Sequence, residues 1–155
     1  MGDKPTKHDT ALSSEHVIAF DYGLKYIGSA VGNVKTATAQ PLQTIACKGG
    51  QADWQMIDKI YQVWQPCRFV VGYPNADSPP KLLNQLDLFI KQLHRHFNLP
   101  VDKGNEYMSS IEAYHRLKKQ RSAGEIGRIT RSDIDKVAAA LILESWFEAQ
   151  QTTTR

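Results

Sequence analysis

Cysteine is scarce in this chain. Its two residues, Cys47 and Cys67, lie far apart and form no CxxC pair. That excludes a disulfide scaffold, and both are expected as buried thiols in a reducing compartment. Long apolar runs are also missing, and none is long enough to cross a membrane. The opening stretch, MGDKPTKHDTALSSE, lacks the apolar core of a signal peptide. These absences give the expectation of a cytoplasmic protein. No charge sign dominates: 19 Lys and Arg face 16 Asp and Glu, a net charge of +3. An anionic partner is therefore allowed but not required. The histidines, His8, His16, His94, His96 and His115, are scattered. His94 and His96, two apart on a helix, do not share a face, so zinc has no evident site. What is present is 41% apolar and 23% charged residues in 155, enough for one soluble domain with a real core.

The pattern of apolar residues divides the chain. Residues 1–15 are expected as a loose tail, 16–150 as a single domain and 151–155 as a short C-terminal tail. HVIAFD reads as a first strand, KYIGSAVG as its hairpin partner and TATAQPLQTIAC as a third strand, with Pro41 at an edge or a bend. Trp54, Ile57, Tyr61 and Trp64 fall at helical spacing behind Asp53 as cap, and Pro66 ends that helix. CRFVVG reads as a strand buried on both faces. A turn-rich loop, YPNADSPP, precedes a helix over about 80–97 and a short strand near LPVDK. Further helices are predicted over about 109–121 and 133–149, separated by SAGEIG. The fold class is α/β: a mixed five-stranded sheet, opened by antiparallel strands, completed by parallel crossovers and flanked by helices on both faces.

Three acids stand in unusual places. Asp21 closes an apolar strand, where a bare charge is costly; it is either a turn residue or a ligand. Glu106 follows a short strand, at the kind of edge where ligands of α/β sheets gather; the alternative is an exposed loop glutamate. Asp135 shares a helical face with Ala139, Ile142 and Trp146, an apolar face that must pack on the sheet. Its competing reading is a capping box with Ser132, and Asp133 is an alternative cap or ligand. Three carboxylates converging on one sheet edge need cations, and hard divalent ions with oxygen ligands are the natural ones. Two Mg2+ or Mn2+ ions, about 3.5–4 Å apart, are the usual device for in-line attack on a phosphodiester.

The segments FDYGLKYIG, FVVGYPNADS, NEYMSSIEA and IDKVAAALILESWFE, in that order and spacing, resemble the four motifs of the YqgF family, also called the RuvX or pre-16S rRNA nuclease family. The resemblance covers about residues 16–149. It implies an RNase H-like fold of the RuvC type and processing of the 5′ end of pre-16S rRNA in ribosome biogenesis. Holliday-junction resolution is its alternative. Residue by residue it implies Asp21, Glu106 and Asp135 as catalytic metal ligands. Two positions depart from the family pattern. Asn105-Glu106-Tyr107 stands where the family has Asp-Glu-Arg, and tyrosine cannot replace an arginine's bidentate grip on phosphate. The loop glycine of the second motif is replaced by Ser78-Pro79-Pro80.

Residues 115–131 carry six Lys and Arg against one acid, Glu125. This basic arm offers Lys118, Lys119, Arg121, Arg128 and Arg131 as phosphate contacts, with Lys25 beside Asp21; the bland reading is a solvated charge run. Tyr73 and Tyr107 are candidate stacking residues. The partner expected is structured RNA, or branched DNA. Two other functions compete: a nucleic-acid-binding module with lapsed catalysis, and an actin-type or sugar-kinase-type phosphotransferase sharing the Asp-x-Gly hairpin. The kinase reading needs two lobes and a far longer chain.

Overall fold

The computed structural model describes residues 15–75, 77–105, 109–124 and 127–153. Strands β1 (His16–Asp21), β2 (Tyr26–Asn33) and β3 (Thr38–Lys48) form an antiparallel meander. Strand β4 (Gln51–Ala52) adds a short pairing on β3. Helix α1 (Trp54–Trp64) leads to β5 (Arg68–Tyr73), which lies parallel to β1. Helix α2 (Pro80–Phe97) leads to β6 (Val101–Asn105), parallel to β5. Helices α3 (Ser109–Ser122) and α4 (Arg131–Thr153) follow.

The mixed sheet has the order β4-β3-β2-β1-β5-β6. Six strands replace the five expected. The extra one arises because Gly49 and Gly50, at φ 58° and 80°, turn the chain back so that Gln51 and Ala52 pair with β3. Two residues are too few to show a period in sequence. Pro41 lies in β3 opposite Ala30, beside a register shift. Ser29, fully buried, satisfies that irregularity: its hydroxyl donates to the Gln43 carbonyl and accepts from the Gln43 N–H.

Alternation along β1 sorts the core into two layers. Ile18 and Phe20 face α1 and α2, joining Phe69, Ile57, Leu86, Phe89 and Leu93. Phe20 meets Phe69 in a stack and Phe89 edge-on, with ring centroids 5.8 and 5.6 Å apart. Val17 and Ala19 face the other way, onto Ile142, Leu143 and Phe147 of α4. Helix α3 packs outside α4, through Ala113 and Leu117 on Val137, Ala138 and Leu141. Helix α4 is thus covered on two sides, which explains its unbroken buried run from Val137 to Leu143. Sequence periodicity predicted only the sheet-facing side.

Helix α4 starts at Arg131 and runs to Thr153, into the stretch expected as a C-terminal tail. Residues 1–14 of the expected N-terminal tail lie outside the described residues; Glu15 is ion-paired with Lys35 at 2.7 Å. Of the two thiols, Cys47 is buried as expected, whereas Cys67 is only half-buried. Among the described residues no helix is long and apolar enough to cross a membrane.

Helix α4 is fixed to the sheet at two points. Near its C-terminal half, Asp102 of β6 accepts from Arg68 Nη1 at 2.7 Å and from Trp146 Nε1 at 3.1 Å. At the other end the helix comes so close to β2 that a Cβ on Gly28 would overlap the Asp135 carbonyl. Four residues further along β2, a Cβ on Gly32 would lie 2.7 Å from side-chain atoms of Leu143 and Phe147. The two glycines differ in what they face: rigid backbone at Gly28, side-chain ends at Gly32. Gly28→Ala is therefore expected to lower the unfolding free energy by about 3 kcal/mol or more, and Gly32→Ala by about 1. Urea unfolding of the two variants checks that order.

Candidate functional site

Strands β1, β5 and β6 run parallel, so their C-terminal ends share one edge of the sheet. Asp21 closes β1 at that edge. It has the parity of Val17 and Ala19, so its side chain projects toward the α4 side. Its partner across the antiparallel pair is Gly28. Gly28 is also the residue on which the Asp135 backbone rests. The missing Cβ thus brings the first turn of α4 down beside the end of β1.

Two further contacts hold that turn. Thr44, the β3 partner of Gly28, donates its hydroxyl to the Ser132 carbonyl at 3.1 Å. Ser132 Oγ donates to Thr44 Oγ1 at 2.7 Å. Ser132 is therefore not the cap that the Ser132–Asp135 spacing suggested. The capping box is formed by Thr130 and Asp133. The Thr130 N–H and hydroxyl both donate to Asp133 Oδ2 at 2.9 Å, and the Asp133 N–H donates to Thr130 Oγ1 at 3.1 Å. That assigns Asp133 to the helix end and leaves the Asp135 carboxylate to face inward, with the residue only 8% exposed.

Asp21 and Asp135 line a common cleft of about 690 Å3. Gly23, Leu24 and Lys25 of the β1–β2 hairpin form one wall, Pro79, Lys81 and Leu82 another, and Arg131 stands at the mouth. Arg131 Nε lies 3.3 Å from Asp135 Oδ1, on a side chain that is 79% exposed. Burial pushes the Asp135 carboxyl above its ordinary value, against the pull of the Arg131 guanidinium. Asp133, two residues away, is held below the usual range, chiefly by the Thr130 N–H.

Among the described residues no group of three or more metal-type side chains gathers in one place. The cleft brings together two of the three acids expected there, and Glu106 lies outside the described residues, as does Tyr107. The structure follows β6 as far as Asn105, level with Tyr73. Of the basic candidates, Lys25 and Arg131 line the cleft. Lys118, Arg121 and Arg128 line a separate hollow, and Lys119 a third, on the outside of α3. Tyr73 is already engaged, donating to Asp87 Oδ1 at 2.9 Å with Lys103 Nζ 4.2 Å over its ring. Lys81 and Tyr114 were not among the sequence candidates. The signal for Lys81 was available in SPPKLL, a lysine just inside a proline-started helix on the sheet-edge side.

A family model described as RuvX: Holliday junction resolvase matches residues 15–149. The chain belongs to the RuvX family. The RuvX relatives include the "Putative pre-16S rRNA nuclease" of Proteus mirabilis, 38% identical over 141 residues, covering 90% of this chain and 99% of the relative. The protein of the same name from Legionella pneumophila is 38% identical over 136 residues, covering 86% and 96%. Two solved structures share the fold. Thermus thermophilus RuvC in complex with a Holliday junction substrate has a TM-score of 0.56 at 15% identity, covering 89% of this chain and 96% of that one. The fowlpox virus resolvase with its substrate Holliday junction DNA has a TM-score of 0.52 at 15% identity, covering 87% and 98%. The RuvX chain thus has the RuvC-like, RNase H-type fold.

The neighbouring acids of α4 make opposite demands on stability. Asp133, with a lowered pKa, stabilises the fold above its unfolded value of about 3.9, and that contribution is lost as pH falls through the folded value. Asp135, with a raised pKa, costs stability once ionised, and the cost vanishes as pH falls below the unfolded value. At neutral pH, Asp133→Asn is expected to lower and Asp135→Asn to raise the melting temperature. The two shifts should be opposite in sign. Both differences should shrink in acid, as calorimetric scans across pH would show.

Proposed function

We propose that the chain is a divalent-metal-dependent endonuclease that hydrolyses a phosphodiester bond at the 5′ end of pre-16S rRNA. One observation carries this reading: two carboxylates from separate elements, Asp21 and Asp135, meet in one cleft with Lys25, Lys81 and Arg131 around it. The name shared by the relatives supports the RNA substrate. The likeness to resolvases supports a four-way DNA junction as the second reading.

The donor set fits Mg2+ or Mn2+ and not a soft metal. The acids that line the cleft are the carboxylates Asp21 and Asp135, and among the described residues neither cysteine nor histidine lines it. The buried Asp135 charge, raised in pKa, is one that a divalent cation would relieve. Asp21 and Asp135 would hold the ions, with Glu106 as the third ligand. Bound there, such ions, two by this reading, would activate water and neutralise charge on the phosphate under attack.

The chain's own residues do the rest. Lys25 and Lys81, on opposite walls, attract the phosphate backbone into the cleft. Arg131 sits against Asp135 Oδ1 and presents the remaining donors of its guanidinium to the opening, where a phosphate oxygen would be gripped.

Cleavage of precursor RNA and of a four-way DNA junction, side by side in Mn2+, tests the reading. The wild type should cut the RNA, and chelation should stop it. Asp21→Asn should lose at least about 100-fold in kcat with its melting curve preserved. Lys81→Ala should act mainly through KM and weaken the salt dependence. Full activity in the Asp21→Asn protein would sink the proposal. Cutting of the junction alone would favour the resolvase reading.

A further inference from the structure

The second hollow, about 490 Å3, lies between α3 and the connection to α4 and is lined by Tyr114, Lys118, Arg121, Ser122, Arg128 and Ile129. Three of these residues, Tyr114, Lys118 and Arg121, follow i, i+4, i+7 spacing and form one face of α3. The neighbouring face, with Ala113 and Leu117, is buried on α4, so the helix is oriented and its outer stripe fixed. Tyr114 remains 44% exposed, large for an aromatic on a helix whose apolar side is already covered. Lys118 Nζ lies 5.5 Å from the Tyr114 ring centroid.

The cations here, like Lys119 beside them, lack the carboxylate partner that some other cations have among the described residues. Arg116, on the same helix, is neutralised by Glu144 at 3.2 Å. Arg68, Lys35, Lys136 and Arg131 also have carboxylate partners. Among the described residues, Lys118, Arg121 and Arg128 have none. An exposed ring among three unneutralised cations presents the two things a single strand offers: a base face to stack and phosphates to pair. A duplex offers the phosphates without a free base face. Arg128 and the cleft residue Arg131 are three residues apart, so at most about 11 Å of chain separates hollow from cleft.

We propose that this hollow binds single-stranded nucleic acid flanking the bond to be cut, with Tyr114 as the base platform and Lys118, Arg121 and Arg128 as phosphate contacts. The word flanking rests on the nuclease reading; the binding itself does not. RNA and DNA strands are both accommodated, because neither a ring face nor a phosphate distinguishes them.

Fluorescence anisotropy with short labelled oligonucleotides tests this on the full chain in EDTA, where no cleavage occurs. The probes are a single-stranded RNA, the matching DNA and a blunt hairpin whose loop is replaced by a linker that carries no bases. Tyr114→Ala should weaken both single strands about tenfold or more, while Tyr114→Phe binds like the wild type and the hairpin is unaffected. Lys118→Ala and Arg128→Ala should each reduce the salt slope for single strands by about 0.7. Thermal melting of Tyr114→Ala against Tyr114→Phe checks folding. A change under about twofold for Tyr114→Ala, or an equal loss on strand and hairpin, overturns the proposal. Tyr114-dependent binding in a protein that cuts nothing supports the hollow and removes the nuclease reading. Cleavage with Tyr114-independent binding overturns the hollow and leaves the nuclease.

Discussion

A carbonyl oxygen resting on a strand that carries no side chain sets the height of the last helix. The Asp135 backbone lies against Gly28, and Gly28 is the strand partner of Asp21. Any Cβ at that point would lift α4 away from the sheet. The two acids would then belong to different surfaces, and the cleft between them would open to water. Thr44 and Ser132 fix the same turn sideways, and Thr130 with Asp133 closes the helix end. Three ordinary local devices therefore place one carboxylate.

That placement has an electrostatic consequence. Asp133 and Asp135 are two residues apart on one helix, yet the backbone N–H of Thr130 favours ionisation of the first and burial opposes it in the second. The first is stabilised within the helix end; the second carries unsatisfied demand for positive charge into the cleft. Arg131 meets part of that demand from the solvent side. In the proposed function, the remainder is the driving force for holding divalent cations.

Much of this was legible in the sequence. An apolar run ended by an acid marked Asp21, and the helical face shared by Asp135, Ala139 and Ile142 marked the inward direction of α4. The capping assignment was not legible, because Thr130–Asp133 and Ser132–Asp135 both satisfy the same spacing and only the seat on Gly28 decides between them. The pairing of Gln51 and Ala52 was too short to carry a period. The outer burial of α4 was hidden because an all-apolar run has no face to read. Lys81 and Tyr114 were missed for a common reason: each gains meaning only from side chains distant in sequence. The basic arm read as one feature, and the structure divides it among three surfaces, because α3 turns Lys119 away from Lys118 and Arg131 opens α4 at the cleft.

The Arg68–Asp102–Trp146 cluster gives α4 a second anchor far from the acids. Held at two points, with α3 lying along its outer side, α4 resists sliding and tipping on the sheet. Adjustment to a bulky polymer must then fall to the lighter parts of the cleft, the hairpin tip at Leu24 and Lys25 and the side chains of Lys81 and Arg131.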